Sequence, residues 1–447
     1  MKLRKYMSAV FASVMAVSSI ASFTASAESY GKGDIDIMVL GDSIAAGTGL
    51  AKNEYNYGQL VADYLGGDVY NYAVSGHESD ETLALLRSFD SSQKTELADS
   101  EVVVISIGGN DMIAYATESL LDYAVQNDLL AEGKTAEDIP AKKNFKTLSQ
   151  FLDMDKVKDY TSNLLNAIKF NDKLDSIYRN ITYTDKQSNG SAYAQIIAKQ
   201  IIPNINEMVE EIKAVNPDAR VIVQTVYNPL QFTAEYEANL KETVSASYYS
   251  AYVQFKTIFN NTTRRFSEQL KEVEGIEVAD VLADISSEDS SGQKYGWYFT
   301  GMQGATSGSD VHPTQAGHTA IAVSVLDTIG ETREDGGLLA LTFNRLSDVK
   351  NYPAYALGKY NKFAGSYILG DLNDDKVINS SDASVVLEQY ALSSTGKEPT
   401  ISDNMMNAGK ITEDDMVDST DASAILAYYA YTATGGSGSI KKFIAEN

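Results

Sequence analysis

The chain has 447 residues, a formal net charge of −25 and no cysteine. Its length predicts two or three domains, and its 44% of hydrophobic residues suffices for buried cores, which excludes wholesale disorder. The acidic balance argues against binding to nucleic acid or to an anionic membrane, because both need a basic surface. The missing cysteines exclude disulfides, thiol catalysis and cysteine-bound zinc. Only His77, His312 and His318 are available as an imidazole base.

Residues 1–27 have the three parts of a secretory signal peptide. A basic head is followed by an apolar run over Met7–Phe23 and by Ala25-Ser26-Ala27, a small-residue tripeptide suited to cleavage. A membrane anchor is the weaker alternative, since serines interrupt the apolar run. No later segment has the length of an apolar membrane span. We therefore expect a secreted, extracellular protein without a membrane span.

Short apolar runs rich in β-branched residues, each followed by a turn, predict buried parallel strands. They lie at Ile35–Leu40, Val69–Val74, Val102–Ile107, Arg220–Val226 and Ile276–Val281. Helices are predicted between and after them, at Thr82–Phe89, Ile196–Val215, Ala234–Val273 and Thr314–Leu326. Strands that alternate with helices favour a parallel sheet with helices on both faces. In such sheets, functional residues follow the carboxyl ends of the strands.

Four polar positions at strand ends point to nucleophilic catalysis. Ser43 follows the first strand, in a turn predicted to lead into a helix. A serine attacks only when a base takes its proton and donors stabilise the oxyanion. Gly76 and Asn110, after the next two strands, offer a bare backbone N–H and a side-chain donor, and His312 precedes the last helix as a candidate base. The alternative, that Ser43 merely caps the first helix, is disfavoured by the other three positions.

These positions resemble the four blocks of the SGNH hydrolases, also called GDSL esterases and lipases. The resemblance covers about residues 33–332 and rests on Gly41-Asp42-Ser43, Gly76, Gly109-Asn110-Asp111 and His312-Pro313 in the family's order. It implies a flavodoxin-like three-layer α/β/α sandwich over residues 28–332 and a carboxylic ester hydrolase that needs no cofactor for catalysis. It also implies Ser43 as nucleophile, His312 as general base, and an oxyanion hole of Ser43, Gly76 and Asn110.

The residue that orients the histidine departs from the family pattern. The family's aspartate stands three residues before the histidine, where this chain has Ser309, whereas Asp310 lies two residues before it. We take Asp310 as the orienting acid, with a backbone carbonyl as the alternative. Such an acid fixes the tautomer and the orientation of the imidazole. Asp111 is expected to brace its loop, and His318 to be a packed helix residue.

The last part of the chain has a different character. Residues 333–365 are predicted to be a linker and residues 366–447 a small separate domain. That domain contains a repeat, because Ile378–Ser384 and Val417–Ser423 are similar at a constant offset of 39 residues and each continues into an apolar helix. Agreement over such a length indicates a two-unit module.

A loop with the oxygen spacing of a calcium site precedes each repeat helix. The predicted ligands of the first loop are Asp371, Asn373, Asp375, Val377 through its carbonyl, Asn379 and Asp382. The second loop is more eroded and keeps Asp414, Asp418 and Asp421, while Lys410 stands at its first position. Lys376 occupies the sixth position of the first loop, where glycine is preferred, which predicts slight strain. An acidic, solvated loop is the alternative.

The two loop–helix units resemble a type I dockerin, the module that attaches cellulosomal enzymes to the cohesins of a scaffold. The resemblance covers about Ser366–Tyr431 and rests on the repeat and on aspartate at the last loop position. It implies a small all-α calcium-binding domain. It also places the contacts to a cohesin partner at Ser380, Ser381, Ser419 and Thr420, whose similarity would permit binding in two orientations.

Together these features predict a secreted serine esterase, docked to a cellulosome-type scaffold, that hydrolyses short-chain esters such as acetyl groups on plant polysaccharides. The signal peptide and the dockerin-like repeat motivate this substrate class. One alternative is a lipase or lysophospholipase, with the long helical insertion between Asn110 and Arg220 as a lid. Another is a scaffold-bound binding or adhesion module with a silent hydrolase fold, which the nearly complete set of blocks disfavours.

Overall fold

The computed structural model of the chain describes residues 35–126, 128–140, 150–153, 196–229, 234–243, 246–286, 299–301, 310–347, 360–412, 414 and 416–447. The predicted signal peptide and Ser309 lie outside these ranges, as does much of the predicted insertion. Within the same ranges, no helix is both long and apolar enough to cross a bilayer.

In the described part of the chain, five parallel strands form one sheet, and they confirm the predicted strands. They are β1 (Ile37–Gly41), β2 (Val69–Asn71), β3 (Val102–Ser106), β4 (Arg220–Gln224) and β5 (Glu277–Ala279). Their order across the sheet is β2-β1-β3-β4-β5, with every neighbouring pair parallel. This is the strand order of flavodoxin-like folds. It brings the segments that follow β1 and β3 side by side.

Helices connect the strands. They are α1 (Tyr57–Leu65), α2 (Ser79–Arg87), α3 (Ser91–Asp99), α4 (Gly109–Gln126), α5 (Ile202–Val215), α6 (Ala234–Thr243), α7 (Ala246–Leu270), α8 (Val281–Ile285), α9 (Gln315–Ile329) and α10 (Gly337–Ser347). A π-helical turn over Ile197–Ile201 precedes α5, where Pro203 has no N–H to donate to the preceding turn. The predicted helix over Ala234–Val273 contains α6 and α7, with residues 244 and 245 outside the described ranges.

Helices cover both faces of the sheet, which confirms the three-layer sandwich. Alternate residues of a strand point to opposite faces. Val39 of β1 therefore belongs to one core, with Leu60 of α1 and Ile321 of α9. Its neighbour Met38 belongs to the other core, with residues of α2, α5 and α7. Because both faces are buried, the strands are continuous apolar runs, which is why they are legible in the sequence.

The described residues of the predicted linker, 333–347 and 360–365, are instead part of the folded body. It contains α10, which packs against α1 and α9 and buries Leu338 in their common core. Phe363 is fully buried in the same core. The linker prediction was wrong because the glycines here do not loosen the chain. The N–H of Gly337 donates to the carboxylate of Asp335 at 3.0 Å, and α10 begins at Gly337.

The described residues beyond 366 form a helical unit packed on the sandwich. Its helices are α11 (Ser380–Ser394), α12 (Asp403–Ala408), α13 (Ser419–Ala433) and α14 (Ile440–Glu446). The repeat helices α11 and α13 pack against each other, and their equivalent residues Val386 and Ile425 are both fully buried. Ala340 of α10 belongs to the same core. The N–H of Gly438 donates to the hydroxyl of Tyr55 at 3.2 Å, so the unit also contacts the loop before α1.

Candidate functional site

Strand β1 ends at a glycine whose place no other residue can take. Gly41 has a φ of +138°, and a Cβ on it would lie 2.0 Å from the carbonyl oxygen of Ser106 in β3. The N–H of Asp42 donates to that same oxygen at 3.1 Å. This close approach of two strands fixes the point where the chain leaves the sheet, and Ser43 follows at the carboxyl edge.

Ser43 lies in a tight turn and not at the start of a helix. The carboxylate of Asp42 accepts the N–H of Ile44 at 3.0 Å within this turn, and no helix starts at Ser43, so the alternative of Ser43 as a helix cap is wrong. The helix predicted directly after Ser43 is also wrong, because the turns end near Gly49, at a φ of +97°, and α1 begins only at Tyr57. The N–H of Ser43 has no acceptor among the described residues.

Asp310 and His312 form a close pair. Nδ1 of the imidazole lies 2.6 Å from Oδ1 of Asp310, and the backbone N–H of His312 donates to the same oxygen at 3.0 Å. Burial opposes ionisation of Asp310, but the hydrogen bonds and the charge of His312 outweigh it and hold its pKa below the usual range. An ionised carboxylate can only accept, so Nδ1 carries the proton and Nε2 is left to act as a base.

Ser43, Asn110 and His312 line one cavity of about 70 Å³. The other side chains around it are largely apolar and include Ile44, Met112, Ile113, Val226, Tyr227, Pro229 and Val311. His312 is 6% exposed and Ser43 is 8% exposed, so both are shielded from bulk water while facing the same space. The structure therefore brings the predicted nucleophile and the predicted base together at the carboxyl edge of the sheet.

Two further donors lie at or near this cavity. A Cβ on Gly76 would meet no atom within 4 Å, and the N–H of Gly76 has no acceptor in the part of the chain that the structure describes. One N–H of the Asn110 side chain donates to the carbonyl oxygen of His77 at 3.0 Å, which leaves the other for a ligand. Gly76 does not line the cavity itself and is joined to it through His77 and Asn110.

Asp111 holds the segments after β2 and β3 together and is the brace that was expected. It is fully buried in α4, and it accepts the N–H and the hydroxyl of Ser79, the first residue of α2, at 3.0 and 2.5 Å. Burial raises its pKa, and the bonds from Ser79 oppose that rise. Gly76 precedes Ser79 by three residues and Asn110 precedes Asp111 directly. The brace therefore sets the distance between the two candidate donors.

Two other titratable groups are buried close to the cavity. Burial raises the pKa of Asp42 to about 7. Burial lowers the pKa of His318 to about 3, so this ring is neutral. Nδ1 of His318 accepts the N–H of Tyr57 at 3.2 Å, and the two rings stack. His318 is thus a packed residue of α9, as predicted.

Two contacts of the histidine loop have no counterpart among the sequence predictions. The hydroxyl of Tyr227 donates to the carbonyl oxygen of Val311 at 2.6 Å. Gly49 lies so close to the loop that a Cβ on it would be 3.2 Å from Cβ of His312. Tyr227 comes shortly after β4, so its place at the carboxyl end of a strand is the signal that could have marked it.

The first C-terminal loop encloses two buried carboxylates. Asp371 accepts two backbone N–H groups of the loop at 3.2 and 3.0 Å, and Asp382 accepts those of Leu372 and Asn379 at 3.0 and 2.9 Å. Burial raises the pKa of both acids. Lys376 has a φ of +65°, the conformation that glycine would adopt without strain. The remaining predicted ligands are exposed or half-buried: Asn373, Asp375, Val377 and Asn379.

The second loop keeps only part of this arrangement. Asp421 is fully buried and accepts the hydroxyl of Thr412 at 3.0 Å. Asp418 caps α13, and Asp414 is exposed and accepts a backbone N–H at 3.0 Å. Lys410 stands at the first position. Over the described residues, no three His, Cys, Asp or Glu side chains gather closely enough to hold a metal ion.

A protein-family comparison agrees with the fold and the site. The model of the GDSL-like Lipase/Acylhydrolase family matches residues 39–320, which include Ser43, Gly76, Asn110 and His312. The chain belongs to this family.

Individual relatives are distant. The uncharacterized protein YpmR of Bacillus subtilis (strain 168) is 32% identical over 102 residues, which are 21% of this chain and 39% of that protein. The chain thus spans about two fifths of the length of this curated relative.

Similar solved structures include two lipases and an esterase. The lipase Lip_vut3 from a goat rumen metagenome is 15% identical with a TM-score of 0.35, and the match covers 66% of this chain and 97% of that one. The extracellular lipase of Streptomyces rimosus is 15% identical with a TM-score of 0.37, and the match covers 66% of this chain and 100% of that one. A catalytic mutant of the acetylxylan esterase Axe2 of Geobacillus stearothermophilus is 14% identical with a TM-score of 0.32. That match covers 68% of this chain and 97% of the other. Likenesses this distant carry no argument about substrate.

Proposed function

We propose that this family member hydrolyses short-chain acyl esters, with Ser43 as the nucleophile, His312 as the general base and Asp310 as the acid that orients the imidazole. The observation that supports this most is the cavity shared by Ser43 and His312, which are far apart along the chain. The 2.6 Å contact between Asp310 and His312 supports the third role. Serine, imidazole and carboxylate in this relation make a hydroxyl nucleophilic.

The proposed reaction has two halves. The Ser43 hydroxyl attacks the carbonyl carbon of the ester while Nε2 of His312 takes its proton, and the negative charge moves to the carbonyl oxygen. The N–H groups of Ser43 and Gly76 and the side chain of Asn110 donate to that oxygen. The imidazolium then protonates the leaving alcohol as its C–O bond breaks, which leaves acyl-Ser43. Water attacks this ester with the same base, and the acid and the free Ser43 hydroxyl are released.

A small acyl group is the proposed occupant of the cavity. Its volume of about 70 Å³ is small beside the roughly 300 to 1,000 Å³ of pockets that hold drug-sized ligands. Its apolar lining suits a methyl group better than a charged one. Ester decorations of plant polysaccharides, acetyl groups above all, are therefore the proposed substrate class.

A series of nitrophenyl esters of increasing acyl length tests this proposal. We expect kcat/KM to be highest for acetyl and to fall steadily toward octanoyl, and we expect activity on acetylated xylan. Ser43→Ala should lower activity by at least about a thousandfold, while Ser91→Ala, an exposed serine at the start of α3, should match wild type. A preference for long chains would favour a lipase instead, and wild type as inert as Ser43→Ala would indicate a silent fold.

We further propose that the C-terminal unit is a calcium-binding, dockerin-like module. The first loop fits the ion best, because Asp371 and Asp382 are both buried acids. In addition, the backbone of Lys376 has the positive φ that glycine usually supplies at this position. Those two acids with Asn373, Asp375, Asn379 and the carbonyl of Val377 would hold calcium, which takes six to eight oxygens. The second loop fits less well, because the hydroxyl of Thr412 already donates to Asp421 and a lysine stands at the first position.

Calorimetric titration of the whole protein with calcium tests the metal proposal. We expect binding at the first loop to dominate, and we expect calcium to raise the unfolding temperature of the C-terminal unit relative to chelator, since a site formed only on folding stabilises the fold. An identical thermal unfolding curve in calcium and in chelator would contradict the calcium proposal.

A cohesin is the proposed partner of the module's repeat-related surface. Ser380, Ser381, Ser419 and Thr420 are all exposed. Exposed apolar residues accompany them in pairs at the repeat offset: Val377 with Met416, Leu387 with Leu426, and Tyr390 with Tyr429. Two equivalent apolar patches beside two equivalent hydroxyl pairs suit one partner bound in either of two orientations.

Paired variants test the two orientations against a type I cohesin. We expect Ser381→Asp or Thr420→Asp alone to change affinity by no more than about twofold, because the other face still binds, and the double variant to abolish binding. Loss of binding in one single variant would show a single orientation. No binding by wild type in calcium would contradict the cohesin assignment.

Secretion is proposed from residues 1–27 alone. The basic head, the apolar run and the terminal Ala-Ser-Ala support cleavage after Ala27. Expression with and without these residues tests it, because only the full chain should be exported and shortened.

A further inference from the structure

A tyrosine from β4's carboxyl side reaches the loop that carries the histidine. Tyr227 is 4% exposed and lines the cavity. Its hydroxyl donates to the carbonyl oxygen of Val311 at 2.6 Å. Val311 is the residue between Asp310 and His312. This bond therefore attaches the middle of the acid–histidine segment to the sheet.

The segment needs this attachment because its other bonds lie at its ends. Among the described residues, Asp310 bonds His312 alone, through the ring and the backbone, so the pair can move together. At the far end, the carbonyl oxygen of His312 accepts the N–H of Gly301 at 3.0 Å. Among the residues that the structure describes, the Val311 carbonyl has no donor other than Tyr227. The Tyr227 hydroxyl therefore anchors the residue before the histidine, while Gly301 anchors the histidine's own carbonyl.

We infer that Tyr227 is a positioning residue for His312. The inference rests on the proposed role of His312 as the base. A general base must stay within hydrogen-bond reach of the proton that it abstracts, so a loop displaced by a fraction of an ångström slows proton transfer without affecting substrate binding in the same proportion. Burial and the charges of Asp42 and Asp310 raise the pKa of Tyr227 far above its usual range, so the phenol remains a donor at every working pH.

Tyr227→Phe keeps the ring and removes the bond to Val311. A matched control is Tyr428→Phe in the C-terminal unit, where an equally buried hydroxyl donates to the carbonyl oxygen of Gly438 at 2.9 Å. On the acetyl ester we expect kcat of Tyr227→Phe to fall about tenfold with KM within about twofold of wild type. Tyr428→Phe should keep both constants, although both variants lose one buried hydrogen bond and comparable stability.

Proton NMR supplies a readout that loss of stability alone would not move. The imidazole N–H in the 2.6 Å contact between His312 and Asp310 should give a low-field signal that is absent in His312→Ala. We expect Tyr227→Phe to displace or broaden this signal and Tyr428→Phe to leave it in place.

The outcomes separate this inference from the proposed function. If kcat and the signal of Tyr227→Phe equal those of wild type, the inference is overturned. A raised KM with unchanged kcat would also overturn it, since Tyr227 would then bind substrate. If Ser43→Ala keeps full activity, the proposed function fails whatever Tyr227 does.

Discussion

The hydrolase site and the C-terminal loops both depend on buried acids, but they gather their partners differently. In the site, Asp111 after β3 holds Ser79 after β2, and His312 comes to the cavity of Ser43 from the far end of the domain. In the first loop, Asp371 and Asp382 bond N–H groups of the same short segment. The site therefore exists only when the sheet is formed, whereas the loops carry their geometry locally. The comparison predicts that substitutions in the two regions have separable effects.

The largest expected effect comes from Asp111→Ala. It leaves the N–H and hydroxyl of Ser79 without their buried acceptor, which should cost about 3 kcal/mol of unfolding free energy. Esterase activity should fall as well, because Gly76 and Asn110 lose their fixed spacing. Urea denaturation and ester assays check both.

Asp138→Ala is the control for Asp111→Ala. Its exposed carboxylate also accepts an N–H and a hydroxyl, both from Thr135. We expect Asp138→Ala to lower the unfolding free energy by no more than about 1 kcal/mol and to keep full activity. Equal losses in the two variants would show that the buried brace has no special role.

A pH-dependent effect of similar or smaller size is expected at Asp42. Its pKa is raised to about 7 by burial, so the folded protein keeps a proton that the unfolded chain has released. Stability from this group is therefore present at low pH and is lost as pH rises from about 4 to about 7. Asp42→Asn retains an acceptor for Ile44 and removes the titration. Denaturation midpoints of the variant should fall less steeply over that window; parallel curves would contradict this.

The C-terminal loops should respond unequally to the same change. Asp371→Asn removes charge from a buried first-loop position, and Asp414→Asn removes it from an exposed second-loop position. We expect the first variant to lose calcium affinity by at least about tenfold and the second by no more than about twofold, with esterase activity unchanged in both. Equal losses would mean that both loops bind calcium alike.

The smallest effect is expected from Lys376→Gly. Glycine adopts a φ of +65° without the cost that a Cβ imposes, so the variant should stabilise the C-terminal unit by about 1 kcal/mol. The lost ion pair with Asp374 is exposed and offsets little of this gain. Thermal unfolding in calcium checks the sign, and a destabilised variant would show that the lysine fits its place better than glycine.

Much of the fold could be predicted because its signals are local. Val102–Ser106 is a run of five buried residues, and buried parallel strands of this kind are legible without knowing their neighbours. Ser43 and His312 could be paired only through the resemblance to a family, because nothing in their spacing shows that they meet. Asp310 could be chosen over Ser309 because it is the acid nearest the histidine.

The rest depends on contacts that have no local signature. Gly336-Gly337 suggests a flexible joint, and only the docking of Leu338 on α1 and α9 makes this segment part of the body. The chain turns after Ser43, where Asp42 accepts the N–H of Ile44, and the first helix begins only at Tyr57, with Asn56 as its cap. Tyr227 is one of 28 tyrosines, and its hydrogen bond to Val311 is visible only in three dimensions.

The packing of α10 between the sandwich and the C-terminal unit has a mechanical consequence. Leu338 belongs to the core of one and Ala340 to the core of the other, so a single helix packs against both. A partner bound to the repeat surface would fix the orientation of the cavity relative to that partner. Binding through the second repeat in place of the first would rotate the whole protein relative to the partner. With the proposed docking, the cavity would face the proposed polysaccharide substrate in two fixed orientations and in none between them.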